Sequence, residues 1–222
     1  MVPVAKFKVH STEAAPPVST PGTVVRPACF VGDDRLLAEA LKARRPGAME
    51  AFYDRFAGYV QRILARVVHV DMDLAELMQE VFAEAFSSVR SLRDETRLKA
   101  WLTSIAVFTA RKHIRRDFKR MTVCRVDSEI EQPVLGSDHE ARQALNLTYR
   151  VLDRLPVDER IAFCLRFMEG MELTETAEAC GVSLATIKRR LSKAQKRFVS
   201  VAGEYPVLEE WIHRGNRWEV RS

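Results

Sequence analysis

From Asp33 onward, apolar residues recur at helical spacing, whereas residues 1 to about 32 hold no sustained period of any kind. Leu36, Leu37, Ala40 and Leu41 form a first stripe that Pro46-Gly47 interrupts, and Phe52, Phe56, Val60, Ile63, Leu64 and Val67 form a second. A third helix is predicted from about Asp71 to Val89, turning Leu74, Leu77, Met78, Val81, Phe82 and Ala85 inward. A fourth runs from Leu98 to about Arg120 on Leu98, Trp101, Leu102, Ile105 and Ile114. Four helices with short connections predict a compact bundle. The period lapses over 122–141, resumes near Arg142, stops at Pro156, and runs again through Ile161, Leu165 and Met168 to Gly170. With no strand signal and no internal repeat, the expected fold is all-α: two small helical domains, 33–121 and 142–203, joined by a flexible linker.

The second domain ends in TETAEACGVSLATIKRRLSKAQKRF, Thr174 to Phe198, which reads as a short helix, a tight turn and a longer basic helix. That is a helix-turn-helix. Ala177 supplies a small residue where the helices approach, Gly181 tolerates positive φ in the turn, and Ile187 is an apolar plug. Ser183 can cap the second helix by accepting from the backbone N–H of residue 185 or 186. Ile187, Leu191, Ala194 and Phe198 recur at spacings of four, three and four and make a buried face. Lys188, Arg189, Arg190, Lys193, Lys196 and Arg197 fill the rest, with no acidic residue between Gly181 and Gly203. A basic helix alone reads as a solvated bundle face; with cap, turn glycine and plug in register it reads as a DNA-binding element.

Charge refines this picture by its distribution more than by its total, a net +5 over 222 residues. The stretch Val67 to Val89 has no Lys or Arg and carries Asp71, Asp73, Glu76, Glu80 and Glu84. Asp73, Glu76 and Glu80 share one helix face beside Gln79, where like charges repel by a few tenths of a kcal/mol per pair. Such a face is either a solubilising surface or a dock for a cationic partner. The end of the fourth helix has the opposite sign, with Arg111, Lys112, Arg115, Arg116, Lys119 and Arg120 against Asp117. That block can neutralise phosphates, and Trp101, Phe108 and Phe118 on or near the same helix can stack bases, although Trp101 also falls in the core stripe. Residues 122–141 collect Asp127, Glu129, Glu131, Asp138 and Glu140 around Pro133 and Gly136, as a linker does.

The four cysteines, Cys29, Cys124, Cys164 and Cys180, are too far apart for a zinc site or a disulfide framework, and no cofactor is implied. Cys164 and Cys180 fall at apolar helix positions and read as core thiols. No apolar run reaches membrane-spanning length and no signal peptide is evident, so a cytoplasmic chain without membrane insertion is expected. No nucleophile-base pair, glycine-rich phosphate loop or metal spacing points to an enzyme.

In this order, GAMEAFYDRFAGYV, DLAELMQEVFAEAF, LKAWLTSIA with ARKHIRR, and LPVDERIAFCLRFMEGMELTETAEACGVSLATIKRRL resemble bacterial RNA polymerase sigma factors of the sigma-70 family, extracytoplasmic-function (ECF) group. The resemblance spans roughly Asp33 to Gly203, with region two joined to region four by a short linker. It implies an alternative sigma factor that binds core RNA polymerase and directs promoter-specific initiation. By similarity, Asp73, Glu76, Gln79 and Glu80 would dock on the clamp helices of the largest catalytic subunit. The loop Ser91 to Thr96, with Trp101, Arg111, Lys112, Arg115 and Arg116, would engage the minus-10 element and an extruded base. Ser183, Thr186, Lys188, Arg189, Arg190 and Lys193 would address the minus-35 major groove. Val107 and Phe108 stand where relatives often carry Arg-Asn, and Lys112 replaces a frequent Asp, so minus-10 preference does not transfer. The proline-rich arm and the tail 204–222, with Trp211 and Trp218, lie outside the common core; the tail could hold an anti-sigma factor. The competing reading is an autonomous helix-turn-helix regulator, which would bind duplex operator unaided, usually as a dimer.

Overall fold

A computed structural model describes residues 32–68, 73–121 and 139–208. All but residue 32 of the expected arm 1–32, nearly all of the acidic linker, and residues 209–222 of the expected tail 204–222 lie outside the described residues, as do Cys29, Cys124, Trp211 and Trp218. Among the described residues the chain is helical, without a strand. Four helices form the first group: α1 (Asp34–Lys42), α2 (Ala48–Val67), α3 (Leu74–Ser88) and α4 (Leu98–Met121). Four more form the second: α5 (His139–Asp153), α6 (Val157–Phe163), α7 (Leu173–Cys180) and α8 (Leu184–Ala202).

Helices α1 and α3 start where the sequence supplies a side-chain partner for the orphan N–H groups, whereas α2 opens at Gly47 and α6 at Pro156 without one. Asp33 accepts from Leu36 N at 2.8 Å to open α1, and Asp73 accepts from Ala75 N and Glu76 N at 3.0 and 3.1 Å to open α3. The stripes then bury as spaced: Phe52, Val60, Ile63 and Leu64 of α2 and Val81 of α3 are at most 1% exposed. A large apolar side chain so buried contributes about 1.5–3 kcal/mol. Leu36 departs from the expected stripe. It is 50% exposed while Ala38 is buried, because in so short a helix the inward face centres on Leu37 and Leu41 and leaves Leu36 at the rim.

The second group differs from a simple reading at one point. The helix that begins at Val157 widens into a π-helical turn over Cys164–Met168, closed by Glu169 N donating to Cys164 O at 3.0 Å. That turn packs on α2. Cys164 Sγ donates to Arg66 O at 3.1 Å, the Met168 carbonyl accepts from the Arg66 guanidinium, and Glu169 pairs with Arg66 at 2.6 Å and Arg62 at 3.5 Å. The two helical groups therefore touch directly, α4 lying against α6 and α7, and their buried residues form one continuous hydrophobic cluster.

Burial pushes the Cys164 thiol up to about 12 and the Cys180 thiol to about 11. Both remain protonated thiols at pH 8, and the thiolate is the reactive form. In a Cys29→Ser/Cys124→Ser background, a thiol reagent at pH 8 is expected to titrate neither group until denaturant is added. Stoichiometric labelling of the folded chain would show that this core opens readily.

Candidate nucleic-acid interface

The turn between α7 and α8 has the geometry its residues require. Gly181 closes α7 at φ 67°, and a Cβ added there would meet nothing within 4 Å, so the glycine serves backbone conformation and not space. Val182 N then donates to Ala177 O at 3.0 Å, and Ser183 Oγ accepts from Thr186 N at 3.2 Å to start α8. Ile187, Leu191, Ala194 and Phe198 are all buried, and the Phe198 ring stacks on Phe163 at 4.8 Å, which fixes the rotation of α8.

That rotation sorts the basic residues. Lys188, Arg189 and Lys193 are exposed and, among the described residues, have no ion-pair partner. Thr186 is half-buried, its hydroxyl 2.9 Å from that of Ser183. Arg190 turns inward to Asp158 at 3.5 Å, and Arg197 pairs with Glu159 at 2.9 Å. Three of the expected duplex contacts are thus free cations along one side of a capped helix, and one is held by the second group's own acid.

On α4, Phe108, Arg111, Lys112 and Arg115 follow at i, i+3, i+4 and i+7 and line, with Arg116, a concavity of about 400 Å³. Phe108 is 62% exposed, an unusual placement for a phenyl ring. Trp101 lies two turns earlier on the same side, half-buried against the core and not among the lining residues. An aromatic face bordered by four cations suits an unstacked base with its phosphates.

Those cations are not idle. Arg111 Nε lies 3.0 Å from Asp158, Arg115 Nη2 lies 3.1 Å from the same carboxylate, and Arg111 also donates to Cys180 O at 3.2 Å. Asp158, in the first turn of α6, consequently holds Arg111 and Arg115 of α4 together with Arg190 of α8. It joins the two basic surfaces. Arg97 beside the loop 91–96 pairs in the same manner with Glu178 of α7. Neither acid stands out in the sequence, because each sits among other acids, Asp158 beside Glu159 and Glu178 after Glu172 and Glu175; a signal existed only in the excess of arginines on α4.

The acidic face of α3 also resolves into unlike parts. Asp73 is spent on capping, whereas Glu76 and Gln79 are exposed. Glu80 accepts from Lys112 Nζ at 2.7 Å and lies 2.5 Å from His113 Nε2, which hold its carboxyl below the usual carboxylate range. His113 is 2% exposed; since the Arg116 guanidinium donates to its Nδ1 at 2.9 Å, Nε2 carries the hydrogen given to Glu80. In the loop, Asp94 accepts from Thr96 N at 3.0 Å and Glu95 pairs with Lys42 of α1 at 2.5 Å. No cluster of potential metal ligands occurs among the described residues, and no helix there is long and apolar enough to cross a membrane.

Comparison with known proteins bears on both surfaces. The family models described as Sigma-70 region 2 and Sigma-70, region 4 match residues 52–120 and 145–198, which hold the α4 concavity and the α7–α8 unit respectively. The chain is 26% identical over 177 residues to the ECF RNA polymerase sigma-E factor of Escherichia coli K12, covering 73% of this chain and 91% of that protein. It is 25% identical over 179 residues to the factor of the same name from Haemophilus influenzae, covering 73% and 92%. Among solved structures, CnrH in complex with the cytosolic domain of CnrY shares the fold, with a TM-score of 0.56 at 20% identity over 78% of this chain and 98% of that one.

Proposed function

Because the chain belongs to the sigma-70 family, in its extracytoplasmic-function group, and directs promoter-specific transcription initiation as an alternative sigma factor, we propose a division of its surfaces. The α3 face around Glu76 and Gln79 docks on the clamp helices of core polymerase. The Phe108 concavity of α4 captures an extruded minus-10 base, with the arginines holding the freed backbone. Lys188, Arg189 and Lys193 enter the minus-35 major groove. The observation that carries this reading is the pairing, in one chain, of an exposed phenyl ring bordered by cations with a capped helix whose exposed Lys188, Arg189 and Lys193 have no ion-pair partner among the described residues. One surface suits an opened strand and the other an intact duplex.

The Asp158 junction adds a conformational requirement to that reading. Minus 35 and minus 10 are about 25 base pairs apart, roughly 85 Å of duplex at 3.4 Å per base pair. Arg115 and Arg190 reach one carboxylate, at 3.1 and 3.5 Å. A conformation of that kind cannot span both elements, so release of Asp158 accompanies polymerase and promoter binding. The related fold of CnrH was captured with the cytosolic domain of CnrY, which supports a regulatory protein partner for this chain too. Its action would be in the cytoplasm, where polymerase works.

Reconstituted run-off transcription tests the reading. With core polymerase the chain should open a promoter that it does not open alone. Glu76→Lys is the cleanest interface variant, since Glu76 is exposed and without an ion-pair partner among the described residues, whereas altering Glu80 would also break its ties to α4. Charge reversal there is expected to weaken core-polymerase affinity about 5- to 10-fold, an ion-pair loss near 1 kcal/mol. Unchanged affinity in a titration of holoenzyme formation would remove the α3 assignment.

A further inference from the structure

His113 is a buried titratable group to which the division of surfaces gives no part. It is 2% exposed on α4, and both ring nitrogens are committed: Nε2 gives its hydrogen to Glu80 Oε2 at 2.5 Å, and Nδ1 accepts from Arg116 Nη2 at 2.9 Å. Only a group that donates on one side and accepts on the other fits between a carboxylate and a guanidinium, and a neutral imidazole is such a group. Glu80 belongs to the acidic side of α3, and Arg116 lines the Phe108 concavity. The ring therefore stands between the two surfaces and is joined to each by a charged partner.

We propose that His113 is a positioning residue for strand capture: it holds the Arg116 guanidinium at the concavity and takes its own orientation from Glu80, so that the α3 face sets the geometry of the α4 face. The inference rests on the assignment of those faces to polymerase and to the opened strand. What carries it is the way the four cations of the concavity are held. Arg111 and Arg115 pair with Asp158, and Lys112 pairs with Glu80. Arg116 is exposed and has no carboxylate partner among the described residues; a neutral ring holds it. That fixes its place and leaves its charge uncompensated for a phosphate. An exposed arginine loses rotamer freedom when it binds, and ordering it beforehand lowers that cost.

The two oxygens of Glu80 divide the work. Oε1 accepts from Lys112 Nζ at 2.7 Å, a side chain 58% exposed, whereas Oε2 faces the buried ring. A polymerase cation arriving at α3 can replace Lys112 at Oε1 and leave Oε2 on His113. Lys112 then joins the concavity while Arg116 stays in place. Were the ring needed only to fill space between α3 and α4, an apolar residue of similar volume would serve as well.

The test uses holoenzyme at saturating core polymerase and reads open-complex formation by permanganate reactivity, with minus-35 duplex binding and the melting temperature of the free chain measured alongside. His113→Leu keeps the buried volume and removes both polar ties. It is expected to lower opening about 5- to 10-fold, the loss of one ordered guanidinium contact, and to leave minus-35 binding unchanged. His113→Gln carries a donor and an acceptor on one planar group and should recover most of the opening. In an Arg116→Ala background His113→Leu should cost nothing further. Glu80→Gln, which weakens the hydrogen bond orienting the ring, should lower opening alone but not in the His113→Leu background. Opening unchanged by His113→Leu, no recovery by His113→Gln, or losses from His113→Leu and Arg116→Ala that multiply would each overturn the proposal. Where His113→Leu does not fold, Glu80→Gln with Arg116→Ala makes the same comparison: losses that fail to multiply support the relay through the ring, and losses that multiply refute it. Phe108→Ala separates the two levels. If it also leaves opening untouched, the assignment of α4 fails and takes His113 with it, whereas an effect of Phe108→Ala without one of His113→Leu refutes the positioning role alone.

Discussion

Asp158→Ala is expected to part the two helical groups. The carboxylate receives Arg111, Arg115 and Arg190 at 3.0, 3.1 and 3.5 Å, so its removal leaves three guanidinium groups facing one another with nothing between them. Hydrogen bonds to a charged group contribute about 1.5–3 kcal/mol when shielded. Asp158 is 29% exposed, so the set is discounted for solvent screening to about 1–2 kcal/mol. That shifts the balance between closed and open forms about 5- to 30-fold. Energy transfer between dyes on engineered cysteines at Gln61 of α2 and Lys196 of α8 reads the change, in a background where Cys29 and Cys124 are serine. The variant should show a longer mean separation and a shallower dependence on salt than the wild type, whose ion pairs are screened progressively as ionic strength rises. Binding of the free chain to a minus-35 duplex should rise as well, because Arg190 is released. Identical distance distributions in the two proteins would mean that apolar packing of α4 on α6 and α7 holds the closure, with Asp158 a passenger.

Phe108→Ala should leave the fold intact and cripple strand opening. The ring is 62% exposed, so its loss removes little buried area from the bundle. If it stacks an extruded base, truncation forfeits about 1–3 kcal/mol, a factor of about 5 to 150 in open-complex formation. Minus-35 binding, carried by α8, should not change. Permanganate reactivity of thymines in the melted region separates the two steps, and Phe108→Trp should retain or strengthen opening. Equal reactivity with the alanine variant would show the ring to be incidental, and the concavity to act through its cations alone.

The parts of this architecture legible in the sequence are those decided within a few residues. The Ser183 cap, the turn at Gly181 and the buried set Ile187, Leu191, Ala194 and Phe198 follow from capping chemistry and a period of 3.6, and the structure has them as spaced. Lys188, Arg189 and Lys193 come out exposed for the same local reason: they occupy what the stripe leaves over. Leu36 and the π-helical turn at Cys164–Met168 were less legible, because a helix of nine residues leaves the edge of its stripe ambiguous and a widened turn keeps nearly the same spacing.

The fate of the charges was decided only in three dimensions. Glu80 and His113 are 33 residues apart in the chain, and Arg115 and Asp158 are 43 apart, yet each pair meets within hydrogen-bonding distance. Helical periodicity tells which side of a helix is apolar, but not which polar side will face which neighbour. Hydrogen-bonded ion pairs form only at contact, and salt screens exposed charges beyond about 10 Å, so that facing decides whether a charge is paired or available. From the chain alone, α4 is a row of cations and α3 a row of anions. Folding gives Arg111 and Arg115 one shared acid in Asp158 and ties Lys112 to Glu80, because α4 lies in contact with α3 on one side and with α6 and α7 on the other.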